Sequence, residues 1–468
     1  MPTSSKIILD SSSFADSIDR AEDNASLDDV RDSTAPMMVS ITRTVTIPDP
    51  IKVARCRRLP EYGPRILFLS GGSALKDLSN TIKHYTHNSI HLITPFDSGG
   101  SSAEIRRAFN MLSVGDLRNR LMALSDDSPL GSHEIINLFS YRLSRHKTLL
   151  AQAEFSEILQ GSHPLCRAVD LPMRSILTSH LRWFAQRMPE DFDLRGASIG
   201  NLIITGCYLE HNRDIVTAIY LIWKLLGVKG KVRPMTGANV HLRARYEDGM
   251  EEVGQHLLGK HPEIGIHGRL TEIDLVASLE EETEFNTTTR QPTRTCHIDS
   301  ISADLLASAD VLCYAVGSFF GSVLANLLPI GVGRAIVQRQ CPKVYIPNTG
   351  IDPEMFGYTL STCVDRIIDM VQTDVRLALG EEGDSDSLND VSANQIVNFV
   401  VVDTTNCEYC IDIDKEQINS KFGSAVVIID VCLANDAAFE AISASAPANK
   451  CKELDPVKLA EVLLTLGS

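Results

Sequence analysis

Five short segments combine glycines, hydroxyls and carboxylates in patterns that can bind a phosphate or a metal ion. Three are glycine–serine turns, namely Ser70-Gly71-Gly72-Ser73, Gly196-Ala197-Ser198-Ile199-Gly200-Asn201 and Gly317-Ser318-Phe319-Phe320-Gly321-Ser322. Two contain acids, namely Asp97-Ser98-Gly99-Gly100-Ser101-Ser102 and Gly115-Asp116-Leu117-Arg118-Asn119. Backbone N–H groups in such turns can face a phosphate, and a tight strand-to-helix turn without a ligand has the same composition.

Asp97 and Asp116 are the candidate chemical groups of the two acidic segments. A carboxylate followed by glycines and hydroxyls suits a corner that holds a metal ion and a phosphate, so Asp97 is the candidate metal ligand. The same segment also predicts a helix start with Ser101 or Ser102 as its N-cap. By spacing alone, Asp116 is more simply a helix cap and Arg118 a solvated helix residue. Together, the five segments predict a phosphate-bearing nucleotide ligand.

The elements around these segments alternate between strand and helix. Residues 65–69 and 90–94 read as strands on either side of the first glycine turn and a helical pattern. Strands at 309–314 and 343–346 flank an apolar helix expected near 322–337. Later elements are a helix at 361–372, strands at 397–403 and 424–431, and a helix at 456–466. This order predicts an α/β fold with a Rossmann-like, doubly wound, mostly parallel sheet, whose ligands bind beyond the carboxyl ends of the strands.

Insertions and polar segments interrupt the expected sheet. Residues 143–195 lack strand alternation and predict a helical insertion, whereas 240–246 alternate before an Asp-Gly turn and predict a small β-hairpin excursion. Residues 1–60, rich in Ser, Asp and Thr, are expected to be largely disordered. The α/β domain is therefore expected over residues 61–468, with an acidic loop at about 380–392.

The charge distribution argues against a nucleic-acid partner. The 468 residues carry a formal net charge of −16, and most of the excess acid lies in residues 1–50, 280–294 and 380–390. The remaining sequence is nearly neutral and shows no basic stretch that could neutralise a phosphate backbone. Apolar stretches such as 322–337 leave room for a homodimer.

Sequence patterns also predict the cellular location. No run of 18 apolar residues is present and the N-terminus lacks a basic, apolar signal, so no membrane partner is expected. Eleven cysteines are mostly scattered singly, which is typical of a reducing compartment. The close pair Cys407-Glu408-Tyr409-Cys410 lacks a second pair to complete a metal site. The expected location is the cytoplasm.

A dinucleotide dehydrogenase is an alternative for the glycine turn. Asp97 lies near the position of the acid that binds the ribose in such enzymes. The turn reads Gly-Gly-Ser-Ala rather than GxGxxG, however, and Asp97 is followed by Gly99-Gly100, which suits a phosphate better than a ribose. No Walker A motif, GxSxG elbow or HExxH motif is present.

Taken in order, the segments resemble the motifs of the CofD-like family, which includes 2-phospho-L-lactate transferases and YvcK-type gluconeogenesis factors. The resemblance runs from about residue 65 to the C-terminus. The matching segments are Gly71-Gly72-Ser73-Ala74 (GGTG), Asp97-Ser98-Gly99-Gly100-Ser101-Ser102-Ala103 (DDGGSSG), Val114-Gly115-Asp116-Leu117-Arg118-Asn119 (PGDIRN), Leu138-Phe139-Ser140-Tyr141-Arg142-Leu143 (LFxYRF), Gly196-Ala197-Ser198-Ile199-Gly200-Asn201-Leu202 (GHSLGNL) and Val344-Tyr345-Ile346-Pro347-Asn348.

The resemblance implies a transferase scheme. A hydroxyl acceptor attacks the phosphorus of a nucleotide-linked, lactyl-type donor, and Mg²⁺ offsets the phosphate charge. In this scheme Asp97 holds the metal or the attacking hydroxyl, Asp116 supports it, and Arg118 neutralises phosphate charge. The other implied nucleotide- or phosphate-binding residues are Gly71, Gly72, Ser73, Gly99, Gly100, Ser101, Asn119, Ser198, Gly200, Asn201, Gly317, Ser318 and Asn348.

The departures from the family motifs leave two functions open. Ser98 replaces the second acid of DDGG, and Ala197 replaces the histidine of GHS. The glycines largely survive while several polar side chains are lost, which favours nucleotide binding over a deazaflavin acceptor and resembles the YvcK-type members more closely. One hypothesis is a Mg²⁺-dependent phosphotransferase, and the other is a regulator that binds a nucleotide or nucleotide-sugar without turnover.

Overall fold

Seven parallel strands form the central sheet of the computed structural model, which describes residues 44–128, 131, 133–261, 263–277, 296–382, 391–434 and 453–467. The strands are β1 (Ile66–Ser70), β2 (Ile90–Ile93), β3 (Lys231–Pro234), β7 (Val311–Tyr314), β8 (Lys343–Tyr345), β9 (Phe399–Val402) and β10 (Val427–Asp430). Their order is β10-β9-β8-β7-β1-β2-β3. The prediction of a doubly wound, mostly parallel sheet is confirmed.

The central strand β1 fixes where a ligand can bind. It pairs in parallel with β2 on one side and with β7 on the other, with Leu67 opposite both Ile90 and Leu312. The strand order therefore reverses between β1 and β7. At such a switch point the connections that follow the two neighbouring strands lead away from each other. A crevice therefore opens between them beyond the carboxyl ends of the strands.

Helices cover both faces of the sheet. They are α1 (Pro50–Arg58), α2 (Lys76–Ile82), α3 (Gly100–Phe109), α4 (Gly115–Ala123), α5 (His133–Ser140), α6 (Thr148–Gln160), α7 (Pro164–Ala168), α8 (Met173–Arg187), α9 (Ile199–Glu210), α10 (Ile215–Leu225), α11 (Ser300–Ser308), α12 (Val332–Gln338), α13 (Leu360–Glu382), α14 (Lys415–Phe422) and α15 (Pro456–Leu466). Alternation along β1 divides the core, since Ile66 and Phe68 pack in one apolar cluster and Leu67 and Leu69 in another. Helices α6, α7 and α8 lie within the predicted insertion at 143–195.

A second, antiparallel sheet adjoins the first. Its strands are β4 (His241–Tyr246), β5 (Glu251–Val253) and β6 (Leu270–Val276), in the order β5-β4-β6. The predicted hairpin is therefore present, and β6 is a third strand that the sequence analysis did not predict. Charged residues of β6 pair with β4: Asp274 accepts from Arg243, and Glu272 accepts from Arg245.

The N-terminal boundary differs from the expectation. Residues 50–58 form α1, in which Val53 and Cys56 are buried, so disorder up to residue 60 is wrong for this part. The backbone N–H of Asp49 donates to Thr465 Oγ1 in α15 over 2.8 Å, which ties α1 to the last helix. Residues 1–43, and residues 383–390 of the expected acidic loop, lie outside the described part of the chain.

The expected apolar helix at 322–337 is also wrong. The chain makes a π-helical turn at Phe319–Val323, a 3₁₀ turn at Leu324–Leu327, and only then enters α12. Pro329 lacks an N–H and Gly331 has φ +94°, so a continuous α-helix cannot form across them. The apolar side chains of both turns are buried within the chain, which removes the sequence argument for a dimer through this stretch.

Three further observations concern the sequence-based expectations for membrane spans, cysteines and metal sites. No helix in the described ranges is long and apolar enough to cross a membrane. Cys410 forms no disulfide, and its thiol lies 3.7 Å from Met355 Sδ. Within the part of the chain that the structure describes, no group of three or more His, Cys, Asp or Glu residues is arranged to hold a metal ion.

Candidate functional site

The turns that follow β1 and β7 form the two walls of a small cleft at the switch point. Predicted residues Gly71, Gly72, Ser73, Gly317 and Ser318 all line it, with Ala74, Leu75, Val316 and Ser322. The side-chain amide of Asn326 donates to the Ser70 carbonyl over 3.1 Å and holds the two walls together. The cleft measures about 50 Å³. Complete small-molecule sites are about 300–1,000 Å³, so this cleft suits one part of a ligand.

Arg120 stabilises the first wall of the cleft, which is the turn after β1. Its side chain is fully buried and donates to the carbonyl oxygens of Gly71 (2.8 Å), Gly72 (3.3 Å) and Leu75 (2.9 Å). It also donates to the Ser79 hydroxyl. Burial lowers the pKa of Arg120 to about 10, so the group stays charged at neutral pH. Because one rigid guanidinium binds the carbonyls of Gly71, Gly72 and Leu75, it fixes the shape of the glycine turn.

Asp116 lies against the same turn and is not a helix cap. Helix α4 begins at Gly115 without a side-chain cap, and the Gly72 N–H donates to the Asp116 carboxylate. Burial, and then the negative charge of Asp97, raise the pKa of Asp116 to about 7, against the opposing charges of Arg120 and Arg118. The structure therefore brings Asp97 and Asp116 together, although 18 residues separate them in the sequence.

Substituting Gly72 by alanine tests this close packing. An added Cβ would overlap Oδ1 and Cγ of Asp116, so the carboxylate must move out of the turn. We expect Gly72→Ala to weaken the binding of a phosphate-bearing ligand by at least about tenfold, which corresponds to about 1.4 kcal/mol. Isothermal titration calorimetry measures this, and Gly237→Ala is the matched control because nothing lies within 4 Å of its Cβ position. Equal affinity in Gly72→Ala and the wild type would contradict the assigned role.

Asp97 follows β2 and faces the start of α4. Its Oδ1 accepts from the Gly99 N–H over 3.0 Å, and its Oδ2 lies 3.4 Å from the Cβ position of Gly115. The same position at Gly115 is 3.8 Å from Asn201 Nδ2. Helix α3 begins at Gly100, where φ is +49°, with Gly99 at the N-cap and no side-chain cap, so the expected caps Ser101 and Ser102 are wrong.

The acid pair fits a magnesium ion. Mg²⁺ is commonly bound by one or two carboxylates plus phosphate oxygens of the substrate and water. Asp97 and Asp116 would supply the carboxylates. The Asn201 amide nitrogen donates to Ser101 Oγ over 3.2 Å, and the buried Asn201 Oδ1 has no hydrogen-bond partner in the described structure. That oxygen would be available to accept a hydrogen bond from a bound ligand.

Arg118 is buried rather than solvated, against the simpler interpretation of its spacing. Its side chain is 5% exposed. It donates to the Ser198 hydroxyl and, over 2.6 Å, to Asn119 Oδ1. Gly200 makes room for it, since an added Cβ there would lie 2.7 Å from Arg118 Cδ. The predicted residue Arg118 of α4 thus lies against the predicted residues Ser198 and Gly200 at the start of α9.

The second wall is partly filled by the protein's own carboxylates. The N–H groups of Phe320 and Gly321 donate to Glu354 Oε2 over 2.9 and 2.7 Å, and the Phe319 N–H donates to Asp352 Oδ2 over 3.2 Å. The predicted phosphate-binding amides after Ser318 therefore already have acceptors. Asn348 also contributes here, because its side chain bonds to Asp352 rather than standing free.

Glu354 makes the stability of this wall depend on pH. Burial, and then the charge of Asp352, raise its pKa from 4.5 to about 8. The Glu354 carboxyl ionises near pH 4.5 in the unfolded chain but keeps its proton to about pH 8 in the folded protein. Its contribution to the free energy of unfolding is therefore lost as pH rises from 4.5 to about 8. We expect Glu354→Gln to unfold at nearly the wild-type temperature at pH 5 and at a higher temperature at pH 9. A variant that is less stable than the wild type at pH 9 would contradict this account.

Comparison with known proteins identifies the family. Residues 66–444 match the family described as "2-phospho-L-lactate transferase CofD". The chain belongs to the CofD family. The resemblance to this family seen in the sequence motifs is thereby confirmed.

CofD-family relatives of this chain include gluconeogenesis factors. The Bacillus subtilis gluconeogenesis factor is 27% identical over 299 residues, or 63% of this chain and 71% of the relative. The Listeria monocytogenes gluconeogenesis factor is 27% identical over 291 residues, or 62% and 67% of the two chains. A solved structure of a UPF0052-family protein from Bacillus halodurans has a TM-score of 0.57 and 21% identity, covering 86% of this chain and 99% of that one, and it shares the fold.

Ser98, in the acidic segment after β2, has a hydrogen-bond partner that the sequence did not indicate. Ser98 Oγ lies 2.7 Å from Nδ1 of His256, which follows β5 of the small sheet. The small sheet is thus connected to the acidic segment. Arg106 makes a second connection, since it donates to the Phe96 carbonyl over 3.0 Å and to the Val240 carbonyl over 2.6 Å.

Proposed function

We propose that this CofD-family protein binds a nucleotide-linked ligand with Mg²⁺ at the switch point and transfers a phosphoryl-linked group from it to a hydroxyl acceptor. The observation that carries the proposal is the meeting of Asp97 and Asp116 beside the Gly71-Gly72 turn. Burial, and then repulsion by the charge of Asp97, raise the pKa of Asp116. A divalent cation at this point relieves the repulsion and offsets phosphate charge.

The proposed step balances without any further reagent. The acceptor hydroxyl oxygen bonds to phosphorus as the bond from phosphorus to the nucleoside monophosphate oxygen breaks, and the nucleoside monophosphate leaves with the electron pair. The hydroxyl proton passes to the carboxylate of Asp116. Bound Mg²⁺ supplies charge neutralisation, with Asp97 as its ligand. Such chemistry depends on positioning and electrostatics, which Arg120 provides by fixing the turn and Arg118 by its positive charge.

A regulator without turnover is the second candidate, and the Ser98 position favours it. The family motif has an acid where this chain has Ser98, whose hydroxyl is already bonded to His256. The site then has one acid fewer for catalysis. The relatives named gluconeogenesis factors also support a regulatory role for this chain. Under this alternative, the same cleft binds a nucleotide-sugar and no bond is broken.

A thermal-shift panel tests the proposed function. GDP, GTP, UDP-N-acetylglucosamine, ADP and NAD are each added with and without Mg²⁺. A ligand at about 100 times its dissociation constant stabilises the folded state by about 2.7 kcal/mol, which gives a clear rise in Tm. A guanine-nucleotide response that requires Mg²⁺ supports the transferase, whereas a UDP-sugar response without metal dependence supports the regulator. A response to NAD alone contradicts both.

A further inference from the structure

We propose that Arg118, Arg142 and Arg145, with the first turn of α9, form an oxyanion-binding subsite separate from the glycine cleft. The subsite takes a second anionic group of the ligand, a carboxylate or a phosphate. The inference rests on the proposed function in placing both groups on one ligand. The subsite itself stands on independent contacts and is tested separately.

The first observation is a buried guanidinium that forms no ion pair in the described part of the chain. Arg118 is 5% exposed, and no Asp or Glu of the described residues lies within ion-pair distance of it. Its Nε is buried and has no acceptor. Burial, and then the positive charge of Arg142, lower the pKa of Arg118 to about 10, against a smaller opposing effect of Asp116. A buried cation whose main charged neighbour is another cation is stabilised by a bound anion.

The second observation is how Arg142 and Arg145 reach the same place. The chain at 141–143 runs antiparallel to 197–199, where the Leu143 N–H donates to the Ala197 carbonyl and the Ile199 N–H donates to the Tyr141 carbonyl, each over 3.0 Å. Arg142 donates to the Gly196 carbonyl over 3.1 Å. Arg145 Cγ lies 3.2 Å from the Cβ position of Gly196. The guanidiniums of Arg118 and Arg142 therefore donate to Ser198 and Gly196 just before α9, and the Arg145 side chain packs beside Gly196.

The third observation is the start of α9 itself. Ser198 occupies the N-cap position, but its hydroxyl accepts from Arg118 and does not cap the helix. In the described structure, the N–H groups of Gly200 and Asn201 have no acceptor. The α9 helix is 12 residues long. Its N-terminal amides and dipole add to the three positive side chains and favour a negatively charged group.

The chemistry of the subsite defines its ligand class. Guanidiniums bind carboxylates and phosphates through paired, charge-assisted hydrogen bonds. Arg142 and Arg145 are exposed, so the subsite is open to solvent on their side, while Arg118 closes the buried side. Asn201 links the subsite to the acid pair, since its amide lies 3.8 Å from the Cβ position of Gly115 beside Asp97. A ligand with two anionic groups can therefore reach both places.

The test titrates inorganic phosphate and, separately, acetate into the full-length protein without metal, by isothermal titration calorimetry at low salt. The anion that binds more tightly identifies the group that the subsite takes. We expect Arg142→Gln to weaken this binding about tenfold, since one hydrogen bond to a charged group is lost. Arg182→Gln is the matched control, because Arg182 is also exposed and donates to one backbone carbonyl, that of Leu159. We expect it to bind like the wild type.

The outcomes separate this inference from the proposed function. Equal phosphate and acetate affinity in Arg142→Gln and the wild type overturns the subsite, as does the absence of binding of either anion at millimolar concentration. Loss of anion binding in Arg142→Gln with retention in Arg182→Gln supports the subsite, even if the nucleotide panel shows no response to Mg²⁺.

Discussion

Replacing Asp97 by asparagine is expected to abolish the effect of Mg²⁺ on nucleotide binding and to lower turnover at least about 100-fold. Asparagine keeps the shape of the side chain and can still accept from the Gly99 N–H. It removes the negative charge that, together with Asp116, attracts the cation. Nucleotide affinity measured without metal is expected to stay close to that of the wild type. Calorimetry with and without Mg²⁺, combined with release of nucleoside monophosphate, measures both effects.

The matched control for this substitution is Asp170→Asn. Asp170 is an exposed acid between α7 and α8, within the helical insertion, and no ion pair involving it is present in the described structure. Its variant should retain the full response to Mg²⁺. If Asp97→Asn keeps wild-type turnover, Asp97 has no catalytic role. If turnover is absent in the wild type as well, and only binding changes in the variant, the regulator becomes the better account.

Replacing Arg120 by methionine is expected to destabilise the folded protein by about 3 kcal/mol. Methionine has similar length but no donors, so the buried carbonyls of Gly71, Gly72 and Leu75 lose the hydrogen bonds that Arg120 provides. The loss of positive charge next to Asp116 adds to the cost at neutral pH. Urea unfolding measures the change in free energy of unfolding.

Two further variants make the Arg120 prediction specific. Arg120→Lys keeps the charge and part of the donor set, so we expect a smaller loss of stability than for Arg120→Met. Arg182→Met removes an exposed arginine and should change the free energy of unfolding by less than about 0.5 kcal/mol. An Arg120→Met protein as stable as the wild type would show that the glycine turn holds its shape without the buried guanidinium.

The fold was predictable because its signals are local. The apolar run of β1, the glycine turn after it and the helical spacing that follows lie within about 20 residues of one another, and the pattern is typical of a doubly wound sheet. The helix predicted at 322–337 was wrong, although the apolar spacing of this stretch resembles that of a helix. There, Pro329 and Gly331 break the helix, and burial rather than propensity decides the conformation.

The site was predictable only in part, because many of its contacts join distant segments. Asp97 and the Gly71-Gly72 turn carry local signatures, whereas the spacing around Asp116 favoured a helix cap and only the family resemblance named it as a site residue. The contact of His256 with Ser98 spans 158 residues, and that of Glu354 with Phe320 spans 34. No spacing rule in the sequence indicates such contacts.

The burial of Arg118 and Arg120 in α4 could not be predicted from sequence spacing either. Both lie in α4; the spacing of Arg118 favoured a solvated helix residue, and nothing in the sequence singled out Arg120. One is buried against Ser198 and the other beneath the glycine turn, because α4 packs between the first turn and α9. Only the packing of these elements shows that both arginines are buried.

The most direct test of the central claim is to locate a divalent cation in crystals grown with GDP and Mn²⁺, using the anomalous scattering of manganese. The account predicts a manganese peak in direct contact with the carboxylate of Asp97 and beside Asp116, with a phosphate oxygen of the nucleotide in the same coordination sphere. It also predicts no such peak in Asp97→Asn crystals grown in the same way. Nucleotide bound in the cleft without manganese at the acid pair would contradict the account.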